Sequence, residues 1–162
     1  MLKLRKNKKG FTLVELIVVI AIMAVLAGVV AGVTVSQLNK QTNKTGSTQA
    51  KTIADFISTV ALTGENDDTA GEDYQILNDA GTEFVTGKLD DLIDKQYKAA
   101  SIEVTYVDTV ANANAATTPA AGKISVYLNA DKNLVTVEFK EKGSGGASIK
   151  YTVNVAGIVS KL

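Results

Sequence analysis

The chain has 162 residues and 17.0 kDa, with Lys+Arg 17 against Asp+Glu 17, no Cys, no His, no Trp and one Pro. That inventory excludes Cys/His zinc sites, cysteine nucleophiles, disulfide frameworks and histidine acid-base chemistry. The neutral total conceals an uneven distribution: Lys3, Arg5, Lys6, Lys8 and Lys9 occupy the first ten residues with no acid, which leaves 12 bases against 17 acids, net −5, in the rest.

Residues 1–10, MLKLRKNKKG, therefore read as a basic leader, and residues 11–35 follow as FTLVELIVVIAIMAVLAGVVAGVTV, with Glu15 their only charge. From Leu16 to Val35 there are 20 residues without a charge, which at about 1.5 Å per residue is roughly 30 Å of helix, the thickness of a bilayer core. A core helix of a soluble protein shows polar residues at regular spacing, and this run has only Thr34 near its end. The excess of Lys and Arg ahead of the run predicts an N-in, C-out membrane orientation. The run is too long for a secretory signal core, and the small residue that stands out, Gly10, precedes it. A cut after Gly10 would remove the basic charges and keep the membrane helix.

Glu15 is a carboxylate near one end of this helix, where the helix dipole favours its charge; deeper in the bilayer it would cost about 2.5 to 3.5 kcal/mol. Gly28 and Gly32 form a G-x-x-x-G spacing that allows close helix approach or local unwinding.

The segment KKG-FTLVEL, Lys8 to Leu16, resembles the processing site of class III signal peptides, and residues 1–35 are similar to the start of a type IV pilin. The resemblance implies cleavage after Gly10 by a prepilin peptidase, N-methylation of the new terminus at Phe11, and Glu15 as the charge that sets register in a homopolymeric filament. It implies insertion in the cytoplasmic membrane before assembly, dependence on pilus assembly machinery, and an extracellular pilus afterwards. Neither pilins nor the related pseudopilins are enzymes. The missing disulfide, common in pilin heads of Gram-negative bacteria, and the look of the leader imply the Gram-positive, clostridial-like branch.

Past the apolar run, Ile53, Phe56, Ile57, Val60 and Ala61 recur at helical spacing. They extend the prediction to one helix from Phe11 to Leu62, with residues 36–63 as its amphipathic continuation, Gly46 as a bend or break and Gly64 as its stop. Residues 64–162 read as a globular head. Within it, residues 64–73 form a loop, Tyr74–Leu77 a short strand, and Gly87–Lys98 a helix capped by Thr86 with Leu89, Leu92 and Ile93 inward. Period-two alternation then marks four strands: Ile102 to Tyr106, Ile124 to Leu128, Val135 to Phe139 and Ile149 to Val155, with turns at Ala130–Lys132 and Lys142–Ala147. Residues 111–122, with Pro119, read as an exposed loop. The expected fold is α+β, a long N-terminal helix packed on a C-terminal antiparallel sheet of about four strands, in the lollipop form of a pilin.

No cofactor is expected. Glu65, Asp67, Asp68, Glu72 and Asp73 offer oxygen ligands for calcium, but their spacing does not match an EF-hand, so calcium stands only as an alternative. Residues 65–94 carry 10 acids against Lys88, and residues 123–162 carry 6 bases against 3 acids, a division that would let unlike patches of neighbouring heads meet. Asn43-Lys44-Thr45 is an N-x-T sequon. Nothing predicts specific nucleic-acid binding. Two other readings stand beside the pilin: a pseudopilin of a type II secretion or DNA-uptake system, and a signal-anchored surface binding protein.

Overall fold

Val and Ile are poor helix formers in water, yet a chain in lipid must satisfy every backbone polar group within its own segment, which favours a helix. A computed structural model describes residues 10–63, 75–107, 118–143 and 145–162, and its first element is the helix α1, Leu13–Thr63. The chain divides into two compact units, Met1–Leu38 and Asn39–Leu162. In the first, every described residue is exposed, including Ile17, Met23 and Val30. This helix is long and apolar enough to cross a membrane. Thr34, the hydroxyl inside the apolar run, donates back to the carbonyl of Val30 at 2.8 Å, so it brings no unsatisfied donor into that surface.

In the second unit, the later part of α1 buries Gly46, Ala50, Ile53, Ala54, Ile57 and Val60 along one face. Phe56 and Ala61 flank that stripe and are only partly buried. The expected break at Gly46 is absent, because α1 runs through it. The glycine instead permits close approach: a Cβ there would stand 2.2 Å from Cε2 of the Phe139 ring.

The sheet under this face has five strands in the order β1-β2-β3-β4-β5, where β1 is Val104–Val107, β2 Ile124–Leu128, β3 Leu134–Lys140, β4 Ser148–Asn154 and β5 Val159–Lys161. This corrects the expected four antiparallel strands in two respects. β1 pairs with β2 in parallel, Val104 beside Ile124, while the other neighbours are antiparallel. The 16 residues between β1 and β2 give the chain enough length to return to the same end of the sheet. The added strand β5 has three residues, too few to display an alternation. One sheet face carries Ile124, Val126, Leu128, Val135, Val137, Phe139, Tyr151 and Val153, all buried in the core with α1.

The helix α2, Thr86–Tyr97, buries Leu89, Leu92 and Ile93 as expected. Thr86 is not its cap: Val85 holds that position in extended conformation, without a side-chain cap bond, and Thr86 already lies in the helix. Phe56 and Tyr97 meet edge to face at 5.9 Å, which ties α2 to α1. The expected strand Tyr74–Leu77 reduces to one bridge between Leu77 and Phe84, with Tyr74 outside the described residues. Of the expected loop 111–122, residues 111–117 lie outside the described residues, and Pro119 is buried rather than exposed. The expected loop 64–73 and its stop Gly64 also lie outside them.

Candidate functional site

The first unit concentrates the residues singled out for processing and assembly. Gly10, Phe11 and Thr12 precede the helix, and Phe11 is 86% exposed, so the peptide bond between Gly10 and Phe11 is outside regular structure. The helix begins at Leu13 rather than Phe11 because Thr12 caps it. The Thr12 backbone N–H donates to Glu15 Oε2 at 2.9 Å and its hydroxyl donates to the same oxygen at 2.7 Å; the Glu15 N–H returns a bond to Thr12 Oγ1 at 3.3 Å. This is a reciprocal capping box. Its signal, Thr-x-x-Glu directly ahead of an apolar run, stood in the sequence, but the expectation read Glu15 as a charge favoured by the helix dipole and setting register, and gave Thr12 no role. Gly28 and Gly32 lie on the exposed helix, where an added Cβ would meet nothing within 4 Å.

In the second unit, polar side chains of α1 at Asn43, Gln49 and Ser58 clasp other described parts of the fold. The Asn43 amide is used at both ends: its Nδ2 donates to the Lys142 carbonyl at 3.1 Å, and its Oδ1 accepts from the Lys142 N–H at 2.8 Å. The sequon at Asn43 thus has its acceptor nitrogen engaged in tertiary structure. Gln49 Nε2 donates to the Ile102 carbonyl at 3.1 Å, and the Ser58 hydroxyl donates to the carbonyl of Gly157. Gly157 has φ +71, and a Cβ there would meet Leu62, so this turn requires glycine on both counts.

The sheet face away from α1 holds a buried carboxylate. Glu138 is 1% exposed and lies opposite Lys150 in register. Its Oε2 accepts from Tyr127 at 3.0 Å and pairs with Lys150 Nζ at 3.2 Å. Burial pushes the Tyr127 phenol upward, and the Glu138 carboxylate adds to that shift. For Lys150 burial acts in the opposite direction, but the Glu138 hydrogen bond, with Tyr127 beside it, outweighs it and raises the ammonium. None of the three members of this network was singled out in the sequence.

Among the described residues, no group of three or more acids gathers to hold a metal ion. Asp67, Asp68, Glu72 and Asp73, the calcium alternative, lie outside the described residues.

Residues 5–31 match the prokaryotic N-terminal methylation motif. The match supports a type IV pilin-like prepilin signal, in a class of structural subunits that a prepilin peptidase processes ahead of polymerisation. It fits a pilin or a pseudopilin precursor that is membrane-anchored before assembly. No curated protein and no solved structure matches the chain.

Proposed function

We propose that this chain is the precursor of a type IV pilus subunit of a Gram-positive bacterium. The leader, residues 1–10, is removed after Gly10 and Phe11 is N-methylated. Residues 11–35 hold the subunit in the cytoplasmic membrane, N-in and C-out, and later form the filament core. Residues 36–63 continue that helix onto the head, residues 64–162, which becomes the outer surface of an extracellular fibre serving adhesion, motility or biofilm formation. Glu15 sets axial register against Phe11 of a neighbouring subunit, and Gly28 and Gly32 provide close packing or local unwinding.

The observation that carries this reading is the coincidence of the methylation motif at residues 5–31 with the first part of α1, residues 13–38, whose apolar side chains are all exposed in the isolated chain. Such a surface is covered by lipid or by like helices, and the same segment serves in turn for both. Head-to-tail association through it, with a rotation between subunits that does not close, generates an open filament and needs no closed symmetry.

The test is to detach surface fibres from the source cells by agitation and determine the intact mass and N-terminal sequence of this protein in them. A chain that starts at methylated Phe11 in long detached fibres is the expected result. A processed chain confined to the cell envelope would favour the pseudopilin, and a chain still starting at Met1 in membranes would remove the assembly reading.

A further inference from the structure

The end of the second unit at which the chain leaves for the apolar segment is basic. Asn43 binds the backbone of Lys142, Lys140 donates its N–H to the carbonyl of Lys123, and the Lys142 side chain lies over Gly122. These contacts gather Lys44, Lys123, Lys140 and Lys142 at one end of the sheet, with Lys40 one helical turn before Asn43. Lys123 is paired with Glu103 at 2.6 Å, and Glu141, between Lys140 and Lys142, is an opposing charge at this end, so the lysines remain in excess. Among the described residues none of Lys40, Lys44, Lys140 and Lys142 is in an ion pair, and Lys40, Lys44 and Lys142 are exposed. At the other end of the sheet, the β2-β3 turn and the segment bonded to it carry Asp79, Glu83 and Asp131 against Lys132.

We propose that this lysine cluster is a docking surface for anionic phospholipid headgroups, holding the head on the membrane before assembly. The inference rests on the reading that residues 11–35 lie in the bilayer. Lys40 and Lys44 stand five and nine residues after Val35 in the sequence, short tethers that keep both near the end of the apolar segment. A headgroup layer extends about 5 to 7 Å beyond the hydrocarbon, and at physiological ionic strength a surface charge is felt for about 8 Å more. Both lysines therefore fall within reach of the surface, and the tertiary contacts bring Lys140 and Lys142 to the same end. An anionic surface attracts each such lysine by about fivefold in partitioning, whereas the acidic end of the sheet is repelled. The occupant is thus distinguished by charge, by position and by continuity with the membrane segment.

The test uses the full chain, which has no cysteine, with Ala120→Cys beside Lys123 as the single labelling position. The chain carries a fluorophore at that thiol and is reconstituted in vesicles of phosphatidylcholine alone or mixed with phosphatidylglycerol, each with a headgroup-attached quencher. Flotation reports anchoring and quenching reports docking. The expected result is equal flotation in both lipids, with quenching several-fold stronger in the anionic vesicles. That excess disappears in high salt and in the variant K40Q/K44Q/K140Q/K142Q. The salt titration on the unsubstituted lysines tests the proposal independently of how well the variant folds. Equal quenching in the two lipids overturns the proposal. Quenching that follows the protein-to-lipid ratio instead of lipid charge also overturns it, and assigns the patch to a second copy. A chain that does not float removes the membrane reading and this inference with it.

Discussion

Glu15 has two separable roles at the level of single atoms, one in the capping box and one proposed in filament register. Glutamine at the same position retains an oxygen to accept the Thr12 N–H but carries no charge. Glu15→Gln is therefore expected to leave hydrogen-exchange protection of the first turn nearly unchanged in micelles, while it abolishes filament formation. Thr12→Ala reverses the pattern: it loses about 1 kcal/mol of helix start, seen as faster exchange at Leu13 to Leu16, and the register charge stays. Assembly of Glu15→Gln filaments at the normal rate would remove the charge from the mechanism. Thr12 shows what a residue-level reading lacked, since its signal was local and available. Asn43 shows the opposite case. Its partner lies 99 residues away in the chain, and no local pattern announces a bond of that separation.

At the level of elements, Gly46 decides how closely α1 approaches the sheet. Alanine there gains about 1 kcal/mol in helix propensity, but its methyl group would enter the Phe139 ring, which is fully buried and has no room to turn aside. Overpacking of this kind costs about 1 to 3 kcal/mol, so Gly46→Ala is expected to be net destabilising in thermal denaturation. Phe139→Leu in the same chain should recover part of the loss; additive losses in the double variant would place the strain elsewhere. The sheet was legible where alternation was long, as in Val135, Val137 and Phe139, and invisible in β5, where three residues cannot establish a period. The parallel pairing of β1 was signalled by the length of its connection, yet hydrophobic pattern alone carries no strand direction. The apolar half of α1 was legible except for its start, which the Thr12 cap moves from Phe11 to Leu13, because twenty charge-free residues leave few structures that satisfy the backbone.

For the whole molecule, alkaline pH is the condition that probes the second unit. Burial pushes Tyr97 up to about 12 from an ordinary value of 10.0, and Tyr127 and Lys150 are raised as well. Below pH 10.0 folded and unfolded chains both hold these protons, and the Tyr97 contribution to stability is present in full. As the pH rises from 10.0 to about 12 the unfolded chain releases the Tyr97 proton while the folded chain retains it, so stability falls across that window. Circular dichroism melts are expected to show Tm declining above pH 10.0, with a smaller decline in Tyr97→Phe. A decline of equal size in that variant would separate it from Tyr97. At neutral pH, Lys150→Ala should cost about 1 to 3 kcal/mol by leaving Glu138 with one partner fewer.

The clasps of α1 at Asn43, Gln49 and Ser58 also determine how the second unit bears tension. Asn43, Gln49 and Ser58 grip three separate stretches of chain, at Lys142, Ile102 and Gly157. A pull along the helix loads these bonds side by side, in shear, together with the apolar stripe between them. A pull on the C-terminus meets β5 at the sheet edge, where the bond from the Leu162 N–H to the Lys150 carbonyl and then the pairs from Tyr151 with Lys161 to Val153 with Val159 peel one after another. The sheet is thus held firmly to α1 and yields from its free edge.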